Sequence, residues 1–220
     1  MYTEKIQSRK IIRTMMRNKI KEKLKSNPRL KSFLLYLIIH PIKTRPRRYI
    51  RCLRFIYMER GNKSYIYRNT RKDIVPFNPF KLGEKSIIES FSTVNNMVGA
   101  ITIGSHSRIG LNNTIIGPVC IGNHVNIAQN VVISGLNHNY LDPDKTIISQ
   151  GITTSEIIIE NDVWIGANTT ILAGSRIGRH SVIAAGSTVI NNVPAYSVVA
   201  GNPGKIIKRY DFTRQEWVKI

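Results

Sequence analysis

Acidic residues are scarce in this chain, with 13 Asp or Glu standing against 33 Lys or Arg in 220 residues. The shortage is local. Residues 1–72 carry 22 Lys or Arg and 3 Glu, a net charge of +19, whereas residues 73–220 carry 11 basic and 10 acidic residues. The basic excess therefore belongs to one arm and says little about the rest of the protein. Cysteine is nearly missing: Cys52 and Cys120 are the only two, neither in a metal-ligand spacing, and a reducing compartment fits. Long apolar runs are missing too. The first worth the name, residues 33–39, is seven residues long, too short for a bilayer span and not a secretory signal. No Ser or Cys stands in a nucleophile elbow, which disfavours an acyl-enzyme intermediate.

What is present is a repeat. Ile103, Ile109, Ile115, Ile121, Ile127 and Ile133 recur every sixth residue, and the register returns at Ile159, Ile165, Ile171, Ile177, Ile183 and Val189. Helical and strand periods, 3.6 and 2, do not produce this pattern. Each hexad reads as a short strand plus a turn, with one side chain in six directed inward and the residue after it, often Gly, giving the chain a sharp bend. Three hexads close one triangular coil, and a coil buries its aliphatic residues only by stacking on the next. Leu82, Ile88 and Val94 share the spacing, which places the first coils within residues 62–102. The expected division is a largely helical basic arm over 1–61, a solenoid over 62–209 with a loop at about 135–156, and a tail over 210–220.

Within the arm, Ile12, Met16, Ile20 and Leu24 recur at intervals of four among Lys and Arg, predicting a basic amphipathic helix over residues 6–24 that stops at Asn27-Pro28. Beside the apolar run at 33–39 it reads as an element for an anionic membrane surface, or as a polar cap on the open first coil. Nucleic acid is disfavoured, because no reading module accompanies the charge. A second short helix is expected over 49–57.

The register breaks once, between Ile133 and Ile159, where 26 residues make four hexads plus two. A polar loop on a rigid scaffold is the usual place for function, and this one holds His138. His106, His124 and His180 each fall three residues after an aliphatic anchor and should point outward. His106 and His124 are one coil apart, yet a third zinc ligand is lacking, and solvated turn residues are the plainer reading.

The Ile-Gly bracket followed by four variable residues resembles the left-handed parallel β-helix of the hexapeptide-repeat acyltransferases, which implies that fold and hand for an all-β solenoid. Ile159-Glu-Asn-Asp-Val-Trp-Ile-Gly-Ala-Asn168, Ala185-Gly-Ser-Thr-Val-Ile-Asn-Asn-Val-Pro194 and Ala200-Gly-Asn-Pro-Gly-Lys-Ile-Ile-Lys208 resemble the acetyl-CoA-binding half of maltose, galactoside and polysaccharide O-acetyltransferases. That resemblance implies acetyl-CoA as cosubstrate, Trp164 beside the pantetheine, Gly166, Ala167 and Ala185 along the coil edges, and Lys205 and Lys208 near the phosphates. Relatives carry Thr-Lys where Ile190-Asn191 stands, which makes Asn191 a further cofactor position. Gly135-Leu-Asn-His-Asn-Tyr140 resembles the segment bearing the family's catalytic base, which implies that role for His138. Many relatives follow this histidine with Asp. Here the residue is Asn139, so a backbone carbonyl or another carboxylate, Glu156 or Glu160, is expected to orient the ring. The resemblance also implies a homotrimer with intersubunit active sites.

The expected function is acetyl transfer to a sugar hydroxyl of a surface polysaccharide or its lipid-linked precursor, in the cytoplasm at the inner face of the membrane. An antibiotic or serine O-acetyltransferase, a γ-type carbonic anhydrase and a non-catalytic membrane adaptor are the alternatives.

Overall fold

The computed structural model describes residues 27–220, in two units divided after Cys52. The helix expected over 6–24 lies outside the described residues. In the first unit a helix runs Pro28–Ile38, started by Pro28 at its first turn and by Asn27, whose side chain accepts the Leu30 N–H at 3.1 Å. It ends as the chain extends into Ile39–His40, which pairs antiparallel with Arg45–Pro46.

The second unit is a three-sided solenoid of six complete coils. Its first face stacks Met58–Arg60, Phe80–Leu82, Ile101–Ile103, Val119–Ile121, Ile157–Ile159 and Arg176–Ile177. Its second face stacks Tyr65–Ile66, Ile87–Ile88, Arg108–Ile109, Asn126–Ile127, Trp164–Ile165, Val182–Ile183 and Ser197–Ala200. The third runs from Arg71–Asp73 through Thr93–Asn95, Thr114–Ile116, Val132–Ser134 and Thr170–Leu172 to Thr188–Val189. Every pairing between coils is parallel, and like positions meet: Ile109 opposes Ile127, and Ile127 opposes Ile165. The aliphatic anchors from Leu82 to Val199 form one buried column of side chains inside the prism.

Two details differ from the expectation. Side chains point inward at two positions in six, not one: the fourth residue after each anchor is buried as well, as Val125, Val131 and Val163 or as Ser107, Asn113, Thr169 and Ser181. At this corner position a small polar residue replaces Val at little cost, because it serves the backbone of the next coil. Ser107 Oγ donates to the Gly122 carbonyl at 2.8 Å and accepts the Val125 N–H at 3.0 Å. The bend, second, is not made by the Gly after the anchor. It is made two residues later by residues in the left-handed region, among them His106, Asn112, His124, Asn130, Asp162 and Asn168, with φ of 56–59°. The Gly is needed because the neighbouring coil is too near: a Cβ on Gly104 would stand 2.5 Å from Asn123 Oδ1 and from backbone atoms of Gly122.

The ends also differ. The solenoid's first strand begins at Met58, within the stretch expected to be arm, and the helix expected over 49–57 is two short pieces, Arg48–Cys52 and Arg54–Tyr57. Tyr57 packs on the core, and its hydroxyl donates to the Ile74 carbonyl at 3.0 Å. At the other end, residues 201–204 follow the last strand of the second face, Ser197–Ala200. They reverse the chain, so that Lys205–Asp211 and Glu216–Lys219 extend the second face antiparallel. Tyr196, Tyr210, Phe212 and Trp217 pack edge to face there, with Tyr196 and Phe212 centred 4.8 Å apart.

Candidate functional site

The break in register is a hairpin rooted at the corner between the third and first faces. Leu136–His138 pairs antiparallel with Ile152–Thr154, and His138 stands opposite Ile152. The root is tied to the coil by the Gly135 N–H on the Ile116 carbonyl at 2.9 Å, the Ser155 N–H on Gly135 at 2.9 Å and the Ile157 N–H on Pro118 at 3.1 Å. Backbone bonds of this kind fix the direction in which the hairpin leaves the wall. Beyond His138 the loop is knitted by its own side chains. Asn139 Nδ2 donates to the Gln150 carbonyl at 3.0 Å, Gln150 bonds the backbone of Asp142 and Lys145, and Lys145 pairs with Asp142 at 2.6 Å. Asn139 therefore has its own use: an Asp there could not donate to that carbonyl.

His138 is exposed and lines an open groove of about 530 Å³ with Asn137, Asn139, Tyr140, Leu141 and Thr153. Its ring has no hydrogen-bond or ion-pair partner among the described residues. Glu160, one expected orienting group, is engaged elsewhere: it pairs with Arg176 and accepts the Arg179 N–H at 2.9 Å. The Glu156 carboxylate acts on Cys120. Burial, and then the Glu156 carboxylate, push the Cys120 thiol above its usual range, so it stays protonated and a poor nucleophile near neutrality. Alkylation of Cys120, followed by mass spectrometry, should accordingly accelerate at a higher pH than for an unperturbed thiol, and Glu156→Gln should move that profile down.

The remaining predicted residues gather on the second face and its corner with the third. Trp164, 53% exposed, begins a cross-strand row that continues through Val182 and Val198 to Lys208. Three strand spacings separate its ends, about 14 Å. Lys205, opposite Ala200, lies on the same added strand and is exposed. Gly166, Ala167 and Ala185 follow the row to the corner. Gly166 admits the next coil, since a Cβ there would approach the Ala185 nitrogen to 2.5 Å. The Ala167 carbonyl accepts the Gly186 N–H at 2.8 Å, and among the described residues the N–H and C=O of Ala185 make no backbone hydrogen bond. Asn191 does not join them. It follows Thr188–Val189, on the same side of the prism as the hairpin.

A single chain thus carries His138 at one corner of a triangular prism and the Trp164–Lys208 row on the face opposite that corner. The positions that sequence reasoning missed are the groove neighbours of His138 and the clamp formed by Asn139 and Gln150. Their only signal was the loop itself. His106 and His124 stack with ring centres 5.0 Å apart and planes 5° from parallel, both as turn residues, and no group of three metal-ligating side chains occurs among the described residues.

Residues 156–191 match the bacterial transferase hexapeptide family (six repeats). Two curated relatives are 2,3,4,5-tetrahydropyridine-2,6-dicarboxylate N-acetyltransferases. That of Clostridium perfringens is 56% identical over 63 residues, 29% of this chain and 27% of the relative, and that of Staphylococcus aureus is 53% identical over 57 residues, 26% and 24%. The chain thus spans about a quarter of the length of the curated relatives it matches. Among solved structures, AntD, an N-acyltransferase from Bacillus cereus in complex with dTDP and 3-hydroxybutyryl-CoA, superposes with a TM-score of 0.62 at 20% identity, over 74% of this chain and 89% of that one. A maltose O-acetyltransferase from Clostridium difficile 630 gives 0.51 at 25% identity, over 72% and 73%. The similarity therefore extends to N- and O-acyltransferases of the hexapeptide type and does not single out the maltose and galactoside branch.

Proposed function

We propose that this hexapeptide-repeat solenoid of the acyltransferase type is an acetyl-CoA-dependent O-acetyltransferase, acting on a sugar hydroxyl with His138 as general base. The observation that carries the reading is the hairpin: it holds an exposed histidine, without a partner among the described residues, at the edge of an open groove. Acetyl-CoA would lie along the second face, with its pantetheine beside Trp164, Ala167 and Ala185 and its phosphates toward Lys205 and Lys208. Those lysines supply point cations on the strand that ends the row.

In this reading the sugar oxygen attacks the thioester carbonyl as His138 takes its proton. The new C–O bond forms, the C–S bond breaks, and the proton passes to the departing thiolate. A backbone N–H at a coil edge, such as that of Ala185, would donate to the developing oxyanion. Because His138 and the Trp164 row lie on opposite sides of one prism, the site takes the hairpin of one chain and the second face of another. A homotrimer provides that arrangement three times over. The basic arm favours a surface polysaccharide or its lipid-linked precursor as acceptor, at the inner face of the membrane, since a small soluble sugar requires no such arm.

A second reading, transfer to an amine, has the local identity with the dicarboxylate N-acetyltransferases in its favour. Thiol release from acetyl-CoA distinguishes the two when measured with free sugars, detergent-solubilised polyprenyl-linked oligosaccharides and amino-group acceptors. Turnover with the lipid-linked acceptors is the expected result. Turnover confined to amines replaces the proposed acceptor, and no release with any of them removes the enzymatic reading.

A further inference from the structure

The described part of the basic arm is apolar on more sides than its own packing uses. In the helix Pro28–Ile38, Leu34, Leu35 and Ile38 are half-buried, while Leu30, Phe33, Tyr36 and Leu37 form a separate stripe that stays in solvent. Phe33 is 59% exposed. The next turn carries the same character further, with Ile42 at its tip 87% exposed and Lys43 beside it. That tip is braced: His40 Nδ1 accepts the N–H groups of Ile42 and Lys43 at 3.3 and 3.2 Å, and the strands on either side of the turn pair. The helix is braced as well. Arg47 lies 4.9 Å from the Tyr36 ring centre and donates from Nε to the Tyr36 carbonyl at 3.0 Å, and the Tyr49 hydroxyl donates to the Leu37 carbonyl.

Charge decides what such a surface fits. Residues 28–52 hold seven Lys or Arg and no Asp or Glu. We propose that this unit is a docking surface for an anionic phospholipid bilayer, with Phe33, Leu37 and Ile42 entering the boundary between headgroups and acyl chains and the surrounding Arg and Lys meeting lipid phosphates. An eleven-residue helix is about 16 Å long, so it lies in the interface and does not cross it. No described helix is long and apolar enough to cross a membrane. Nucleic acid would engage the cations and leave Phe33, Leu37 and Ile42 in water. This inference stands apart from the acetyl-transfer reading, because it concerns a different unit and is read out by binding.

The experiment is flotation of the full-length protein with phosphatidylcholine vesicles, with and without phosphatidylglycerol, beside Ile42→Asp and Phe33→Ser variants whose melting curves are checked against the parent. Binding should need the anionic lipid and fall ~10-fold in each variant. Ile42 sits on an exposed turn, so its replacement leaves the fold intact even where a helix substitution does not. Three results overturn the proposal: no flotation with anionic vesicles; flotation that the folded variants leave unchanged; or loss of vesicle binding to single-stranded RNA with RNA affinity equal in parent and variants.

Discussion

Replacing His138 by Ala should lower kcat ~100- to 10,000-fold, the range for loss of a general base, while the dissociation constant for CoA stays within about twofold. The split follows from geometry: His138 lies on the hairpin, and the residues proposed to hold CoA lie on the opposite face. Single-turnover thiol release and calorimetric binding of CoA measure the two quantities separately. The fold should be indifferent, since the ring is exposed and partnerless among the described residues. An unchanged kcat would remove His138 from the mechanism. Equal loss of CoA binding would instead make the hairpin part of the cofactor wall.

Activity should return when two inactive variants are mixed. Ala185→Trp places a bulky ring on an exposed corner position beside the proposed pantetheine track and should abolish acetyl-CoA use without touching the core. Co-expressed with His138→Ala, it should assemble into mixed oligomers in which roughly one site in four joins an intact hairpin to an intact second face. Turnover per chain then rises from near zero to about a quarter of the parent value. The measurement is thiol release by the mixture, compared with each variant prepared alone. Silence in well-mixed oligomers would place the whole site within one chain, against the opposed positions of His138 and the Trp164 row.

The solenoid was legible because a hydrophobic period of six has one simple structural solution, and the strand registers at Ile109, Ile127 and Ile165 follow it without slip. Its finer rules were not. Gly104 reads as a bend in sequence because glycine most often marks one, yet its reason lies in a neighbouring coil, which a linear reading does not contain. The buried Ser107 and Asn113 look like surface residues by type, and only their bonds to an adjacent coil account for them. Glu160 is one of the carboxylates that the sequence offers for orienting His138. Its carboxylate is taken by the next coil, where it pairs with Arg176 and accepts the Arg179 N–H. The loop that carries His138 was legible through the break in register, but the groove and clamp around it depend on loop side chains with no period to betray them.

The hairpin has a consequence for how such a protein can change over time. Ile121 pairs with Ile159 across 38 residues in the same register in which Ile103 pairs with Ile121 across 18, so the stack does not sense what has been inserted. Closing the longer loop costs about 0.7 kcal/mol more than the shorter one. Lineages can therefore lengthen, shorten or exchange this one segment, while the second face and the core descend unaltered.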